Sequence, residues 1–447
     1  MKPRLGQLPP EAAGASSPTT DGRAAASRRA RPCLILTLAA LACGGSDTGA
    51  HAWEATVDTL GDTIVVRTVG GSVWLDTATL TPELSVGVFE GAEEEMFGEV
   101  AAIAVNQAGD IFVLDQHIQG VRHFGPDGAY RGTLGREGSG PGELKQADGM
   151  AIHPDGRLLV RDPGNARFNV YAPDGTVLPS WPLPSGGGWN TDDAVRVDTA
   201  GNSYSLILLQ MGVDVTEWKH GLARMGPDGT HHDTLPAPTW DHKPAQVTAR
   251  RENSSSTTSV PFSASAQWDF SPLGYFVGGV STDYRIDLFR PEGVLRIERA
   301  WTPIPVLAAE KAEQEHRIVE NFKRSYGSWK WNGPAIPDTK PPFRSIVVAG
   351  DGRLWVQLSQ PGYAWRSEAE AREEEERTKR PQTRYREGFT FDVFEPDGRY
   401  LGVVRMPGDF RGSPAPVLRG DTVWAVTRDS LDVQRVVRYR VTRAERP

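Results

Sequence analysis

Short apolar runs and tight polar turns alternate along residues 149–181. One apolar run of three residues is followed by three segments in which apolar and polar residues alternate. Triplets of Pro, Asp and Gly stand at residues 154–156 and 173–175. Proline presets φ, aspartate caps its own backbone and glycine accepts a positive φ, so such triplets favour turns. The pattern predicts four short antiparallel strands, at residues 150–152, 157–161, 167–171 and 177–181.

The same unit recurs along the chain. Asp115 and Asp162 occupy matching places in two consecutive units, and so do Asp127 and Asp174; both pairs are 47 residues apart (162 − 115 and 174 − 127). Weaker copies span residues 194–235, 266–301 and 344–404, and a partial sixth copy spans residues 417–441. A period of about 40 to 50 residues made of short strands is typical of β-propeller blades.

We therefore predict an all-β fold over residues 55–447, a six-bladed β-propeller of four-stranded antiparallel blades. The last copy ends before its fourth strand, whereas spare strands are predicted at residues 63–68 and 84–89. We expect an N-terminal strand to complete the last blade and close the ring, which leaves no long exposed sheet edge. Helix formers at residues 310–323 predict a helical insertion between blades four and five, placed as a lid.

Residues 138–181 resemble an NHL-type repeat, in which Asn165, Arg167 and Phe168 match the family's Asn-x-Arg-apolar signature. Residues 283–286 are a degenerate copy of it. The resemblance covers about residues 55–442 and implies an NHL-repeat-like six-bladed β-propeller lipoprotein of bacteria. We expect Arg167 to brace neighbouring blades or loops and not to take part in catalysis.

Residues 1–42 are predicted to be a signal peptide, because basic residues precede an apolar stretch, 33–42, that is too short to span a bilayer as a helix. Residues 40–43 resemble a bacterial lipobox, which implies cleavage before Cys43, lipidation of that cysteine and a linker over residues 43–54. Gly44 favours the outer membrane over the inner one. We expect a lipid-anchored protein of the bacterial cell envelope, at the outer membrane or facing the periplasm. The alternative is an ordinary secretory signal with a chance cysteine.

Composition narrows the function classes. Cys33 and Cys43 are the only cysteines, so the mature domain is expected to have no disulfide, no cysteine nucleophile and no thiolate metal site. The chain has 57 acidic and 49 basic residues. No basic stripe with interleaved aromatic residues is found, which argues against nucleic acid as a partner. Contact with a membrane is expected through the lipid anchor only.

Four long insertions interrupt the repeat, and their places between strands two and three or between blades put them on one face of the predicted propeller. Insertions confined to one face of a repeat array often mark the binding face. The alternative is that long surface loops are tolerated anywhere at low cost. The insertions span residues 210–220, 236–265, 302–343 and 359–387.

Tryptophans are frequent in these insertions and in the loop before them. Exposed aromatic faces would suit stacking on sugars or contact with apolar peptides. The alternative is that the rings staple the loops onto the propeller. The candidate binding residues are Trp189, Trp218, Trp240, Trp329, Trp331 and Trp365, together with Arg344.

Two carboxylates, Asp148 and Asp193, are predicted to lie at one level of the central channel with Arg344 nearby. Such a set could hold a calcium ion or orient a polar substrate. In gluconolactonase-like propellers, carboxylate and amide groups at this level bind a metal ion, so the resemblance allows calcium but implies no other cofactor. The alternative is a set of variable polar residues that line a wet channel. No Gly-x-Ser-x-Gly motif occurs, and the histidines show no zinc-ligand pattern.

The sequence is compatible with two functions. The leading hypothesis is a noncatalytic ligand- or protein-binding module, or scaffold, that contacts a protein or carbohydrate through the inserted-loop face. The second is a channel-mouth hydrolase or lyase, lactonase-like, in which Asp148 and Asp193 act with or without calcium. A requirement for the metal would separate the two.

Overall fold

The computed structural model describes residues 52–184, 194–212, 217–252, 254–429 and 431–443. They belong to the unit Ala39–Pro447, and most of their regular structure is strand. Three strands come first: β1 (Glu54–Leu60), β2 (Thr63–Gly70) and β3 (Ala78–Val86). These three join sheets whose other strands lie much later in the chain.

Three four-stranded antiparallel sheets follow, and in each the strands are hydrogen-bonded in chain order. The first contains β4 (Val100–Val105), β5 (Ile111–Asp115), β6 (Gly120–Phe124) and β7 (Tyr130–Leu134). The second contains β8 (Gly149–Ile152), β9 (Leu158–Asp162), β10 (Arg167–Tyr171) and β11 (Val177–Pro182). The third contains β12 (Val195–Val197), β13 (Ser203–Gln210), β14 (Lys219–Met225) and β15 (His231–Pro236). Gly156 has φ of 90° in the turn between β8 and β9, as its turn triplet predicts.

A fourth group of four antiparallel strands follows a separate hairpin. The hairpin pairs β16 (Gln246–Arg251) with β17 (Ser254–Ser259). The group contains β18 (Ala266–Phe270), β19 (Phe276–Val280), β20 (Arg285–Arg290) and β21 (Gly293–Arg299). Its last strand, β21, also pairs in parallel with β2, and β2 pairs with β1, so the sheet has six strands.

The next segment holds a long helix between two short paired strands. These are β22 (Ile304–Pro305), α1 (Ala308–Tyr326) and β23 (Thr339–Lys340). The helix presents Ile318 and Phe322 to a buried cluster that includes Val247 of β16. The helix therefore packs on the inserted hairpin.

The remaining strands form one eight-stranded sheet with β3. Its first half contains β24 (Phe343–Val348), β25 (Leu354–Leu358), β28 (Thr390–Phe394) and β29 (Tyr400–Arg405). Between β25 and β28 the chain forms β26 (Tyr363–Ala364), α2 (Glu368–Thr378) and β27 (Tyr385–Arg386). The other half contains β30 (Val417–Arg419), β31 (Thr422–Arg428) and β32 (Gln434–Thr442). Here β3 pairs antiparallel with β32 as a fourth strand.

The apolar core lies between neighbouring sheets. Leu114 and Val160 share one cluster between the first and second sheets. The last strands pack back on the first sheet, because Val426 of β31 shares a cluster with Val105 and Phe124. Several four-stranded antiparallel sheets that pack in sequence in this way are consistent with a β-propeller.

Candidate functional site

A cavity of about 880 Å³ opens among the inserted loops. It is lined by three of the four predicted insertions, through residues 259–265, 310–317 and 359–363 with 385–387. Residues 405–411, at the end of β29 and beyond it, complete the wall. A volume of this size lies within the range of small-molecule sites.

The cavity has a buried ion cluster at its base. The Lys340 ammonium donates hydrogen bonds to Glu310 Oε1 at 2.7 Å, to Glu387 Oε1 at 3.0 Å and to the carbonyl oxygen of Gln360 at 3.1 Å. Three donors thus meet three acceptors, which satisfies the charge of a lysine that is otherwise excluded from water. Because Glu310 lies on α1 and Glu387 follows β27, the cluster joins two insertions.

The insertion at residues 236–265 contacts the same lysine through an aromatic ring. The Lys340 ammonium lies 5.0 Å from the centre of the Phe262 ring, a distance at which a cation is attracted to the ring face. Phe262 itself has φ of 60°, which is rare for an aromatic residue. Backbone strain of this kind persists where the surrounding contacts fix it and is frequent in ligand sites.

Five arginines line the cavity, against two acidic residues, Glu310 and Glu387. Both carboxylates are bound by Lys340. A concave surface lined by one sign of charge focuses the electrostatic field and raises the local concentration of ions of opposite charge. The arginines are Arg317, Arg344, Arg386, Arg405 and Arg411.

Four of these guanidinium groups are held by side chains or carbonyl oxygens. Arg317 donates to Gln314 Oε1 at 2.8 Å, and Arg344 lies 3.5 Å from Glu387 Oε2. Arg411 donates to the backbone carbonyls of residues 409 and 410. Arg386 donates to the Tyr363 hydroxyl at 2.8 Å and lies 5.0 Å from the Trp365 ring centre. Arg405, the last residue of β29, is exposed.

The predicted tryptophans divide into two kinds. Trp329 and Trp331 pack against the cluster beneath α1 and so staple the insertions together. Trp218 and Trp240 are half-buried, the former donating to the Gly212 carbonyl at 3.2 Å. Trp365 is 40% exposed and reaches the cavity through Arg386. Trp189 lies outside the described residues.

The structure describes one of the two predicted calcium ligands, Asp148. The Asp148 carboxylate is bound by the Arg161 guanidinium, a cation that competes with a metal ion for the same oxygens. Arg344 lies in the cavity instead, beside Glu387. Asp193 and the lipidation site Cys43 lie outside the described residues. Within the described ranges, no group of three or more His, Cys, Asp or Glu side chains could hold a metal ion.

The aspartates and the arginine of the repeat hold neighbouring loops in place through hydrogen bonds. Asp115 accepts backbone hydrogen bonds from Gly98 and Glu99 at 3.0 Å, and Asp162 likewise ties down the loop before its own sheet. Arg167 donates to the Glu143 carbonyl at 2.9 Å. The prediction that this arginine braces a loop is confirmed.

Sequence reasoning identified Arg344 but missed most of the cavity. Lys340 and Glu310 lie 30 residues apart in one insertion, Glu387 lies in another, and the three meet only in the folded chain. Arg386 and Arg405 lie in no motif. Counting the charged residues in each insertion could have pointed to residues 384–387, where two arginines flank Tyr385.

Comparisons with known proteins give a likeness of fold only. No protein-family model matches the chain, and no curated protein matches it. A DUF4221-family structure from Bacteroides vulgatus is 10% identical, covers 82% of this chain and 99% of its own, and has a TM-score of 0.49. A gluconolactonase from Xanthomonas campestris is 13% identical over 87% of this chain and 90% of its own, with a TM-score of 0.35. A virginiamycin B lyase from Staphylococcus aureus is 10% identical over 80% of this chain and 99% of its own, with a TM-score of 0.38. These neighbours are β-propeller-like proteins, and similarity at this level assigns no activity.

Among the described residues, neither α1 nor α2 is both long and apolar enough to cross a membrane.

Proposed function

We propose that this protein is a noncatalytic binding protein of the bacterial cell envelope, which takes a small-molecule or carbohydrate ligand in the cavity among its inserted loops. The observation that carries the proposal is the lining of that cavity. Three insertions separated along the chain supply most of the wall, and one buried lysine joins them. Loops that serve only as connections have no reason to converge on one lysine.

We infer that the frame is a six-bladed β-propeller of the NHL-repeat-like kind. Six groups of four antiparallel strands in the described chain support this inference, with β3 as the outer strand of the last group. The helix α1 would then be an insertion between the fourth and fifth blades. An inserted-loop face on a rigid ring suits binding, since the ring fixes the positions of the loops.

The lipid anchor is part of the same proposal. Cys43 would be lipidated after cleavage of residues 1–42, which would hold the propeller at the outer membrane. Mass spectrometry of the purified N-terminal peptide tests this step. Diacylglycerol on Cys43 would support it, and an unmodified N-terminus beginning elsewhere would overturn it.

A thermal-shift screen with soluble sugars, acids and peptides tests the binding function. A ligand at about 100 times its dissociation constant stabilises the folded state by roughly 2.7 kcal/mol, which raises the melting temperature of a domain this large by a few degrees or less. We expect at least one compound to do so in the wild type.

A cavity-blocking variant locates the binding. A Cβ atom at Gly388, a lining residue, would meet nothing within 4 Å, so Gly388→Phe should narrow the cavity without disturbing the fold. Gly70→Phe, at the end of β2 and away from the cavity, is the matched control. Ligands that stabilise the control should no longer stabilise Gly388→Phe. Equal stabilisation of both variants would contradict the proposed site.

The hydrolase or lyase hypothesis stays a prediction. It uses Asp148 and Asp193, with or without calcium, and the Asp148 carboxylate is bound by Arg161. A calcium-dependent rise in melting temperature that Asp148→Asn abolishes would support it.

A further inference from the structure

The charge of the cavity differs in sign from the charge of the chain. The whole protein has a formal net charge of −8, yet the cavity lining has five arginines and two glutamates. Lys340 binds both glutamates from beneath, with its side chain fully buried. Apart from Arg344, these arginines form no ion pair with a carboxylate in the described ranges.

We propose that the cavity binds a small ligand with two or more oxyanion groups, carboxylate or phosphate. This proposal rests on the proposed binding function and names the ligand class of the same site. Like charges gathered in one concave surface repel one another, and a bound polyanion removes that repulsion. The lining arginines supply forked donors that match the geometry of carboxylate and phosphate.

Several arginines are already oriented. The hydrogen bond from Arg386 to the Tyr363 hydroxyl and the nearby Trp365 ring fix one guanidinium. Gln314 fixes that of Arg317 on α1, which lines another wall of the cavity. A donor that is fixed before binding loses little conformational entropy when the ligand arrives.

The test is isothermal titration calorimetry with the full chain carrying Cys43→Ser, which removes the predicted lipidation. The probes are trigalacturonate, which carries three carboxylates, pyrophosphate, and maltotriose as a neutral trisaccharide. We expect trigalacturonate or pyrophosphate to bind, maltotriose to bind at least tenfold more weakly, and the anion affinity to fall as salt is raised.

Two arginines on opposite ends of one strand make a matched pair of variants. Arg405 ends β29 at the cavity, whereas Arg399 directly precedes β29 at the other end and is exposed. Arg405→Gln should weaken anion binding about tenfold, because it removes one charge-assisted hydrogen bond. Arg399→Gln should leave the affinity unchanged. Equal effects of the two substitutions would overturn the proposal.

The outcomes separate this inference from the proposed function. If maltotriose binds as tightly as trigalacturonate and Gly388→Phe abolishes both, the cavity is a binding site but the anion proposal is wrong. If neither anionic probe binds, the anion proposal is also wrong, and the thermal-shift screen then decides whether the binding function stands. Cosedimentation with phosphatidylglycerol vesicles, without binding of either soluble anion, would identify a membrane surface and overturn the proposal of a small ligand.

Discussion

Lys340 Nζ lies 2.7 Å from Glu310 Oε1, and these side chains are 0% and 4% exposed. A buried ion pair contributes little net stability, since desolvation offsets the attraction between the charges. Removal of one partner destabilises the protein, because the remaining charge stays buried without a partner. The pair therefore fixes the position of α1 relative to the loop that contains Glu387, and with it the shape of the cavity.

Lys340→Met is expected to destabilise the protein by about 3–5 kcal/mol, because it leaves Glu310 and Glu387 buried without their cation. Lys311→Met is the control, since Lys311 pairs with Asp338, whose side chain is fully accessible to water. Urea unfolding followed by tryptophan fluorescence measures both. If the two variants unfold at the same urea concentration, the buried cluster does not hold the insertions together.

Gly362→Ala should also disturb Glu310. A Cβ atom at residue 362 would lie 2.0 Å from Glu310 Oε1, so the carboxylate would have to leave Lys340. We expect a loss of about 1–3 kcal/mol. Gly408→Ala is the control, because a Cβ atom there would meet nothing within 4 Å. Unchanged unfolding of Gly362→Ala would show that Glu310 moves aside at no cost.

Trp329 and Trp365 are expected to differ in role. The Trp329 ring lies 4.7 Å from that of Phe322, and its Nε1 donates to the Thr248 carbonyl at 3.2 Å. Trp329→Ala should destabilise the protein by about 2–3 kcal/mol through lost packing. Trp365→Ala should change stability by about 0.5 kcal/mol and weaken ligand binding, because it removes a contact to Arg386. The reverse pattern would assign the binding role to Trp329.

His123 gives an expected pH dependence. Its ring stacks on Phe112, with centres 4.4 Å apart, and burial lowers its pKa although Asp110 opposes the shift. The unfolded chain therefore binds a proton at a higher pH than the folded protein does. Stability from this group is present above the ordinary histidine pKa of about 6.5 and is lost as the pH falls through the folded pKa.

His123→Phe should accordingly reduce the loss of melting temperature between pH 7 and pH 5. The exposed His231→Phe serves as control. A pH profile of His123→Phe that coincides with the wild-type profile would contradict the expected direction.

The sequence predicted the repeat well, because turn chemistry and alternation act locally. The strand predicted at residues 167–171 is β10, and the strand predicted at 157–161 is one residue from β9. The N-terminal strands were found less well: β3 begins at Ala78, before the predicted residues 84–89. Its place is set by pairing with β32, a partner about 350 residues away.

The cavity could not be predicted, since its parts meet only through tertiary packing. Ser254–Ser259 has a composition typical of a loop, yet it is a strand because it pairs with β16. Lys340 and Glu310 are 30 residues apart in the chain, with no periodicity that links them. Trp240, Trp329, Trp331 and Trp365 lie in insertions that line the cavity, whereas the charge of the cavity comes from arginines that belong to no motif.

Hydrogen exchange with and without a bound anion tests whether the inserted loops form the ligand site. The ligand is trigalacturonate or pyrophosphate, whichever binds more tightly. We expect slower exchange at residues 259–265, 310–317, 385–390 and 405–411, which line the cavity, and unchanged exchange in β4–β11. Slower exchange in β4 and β8, the first strands of their sheets, with none in the inserted loops, would contradict the proposed site and place binding in the predicted central channel.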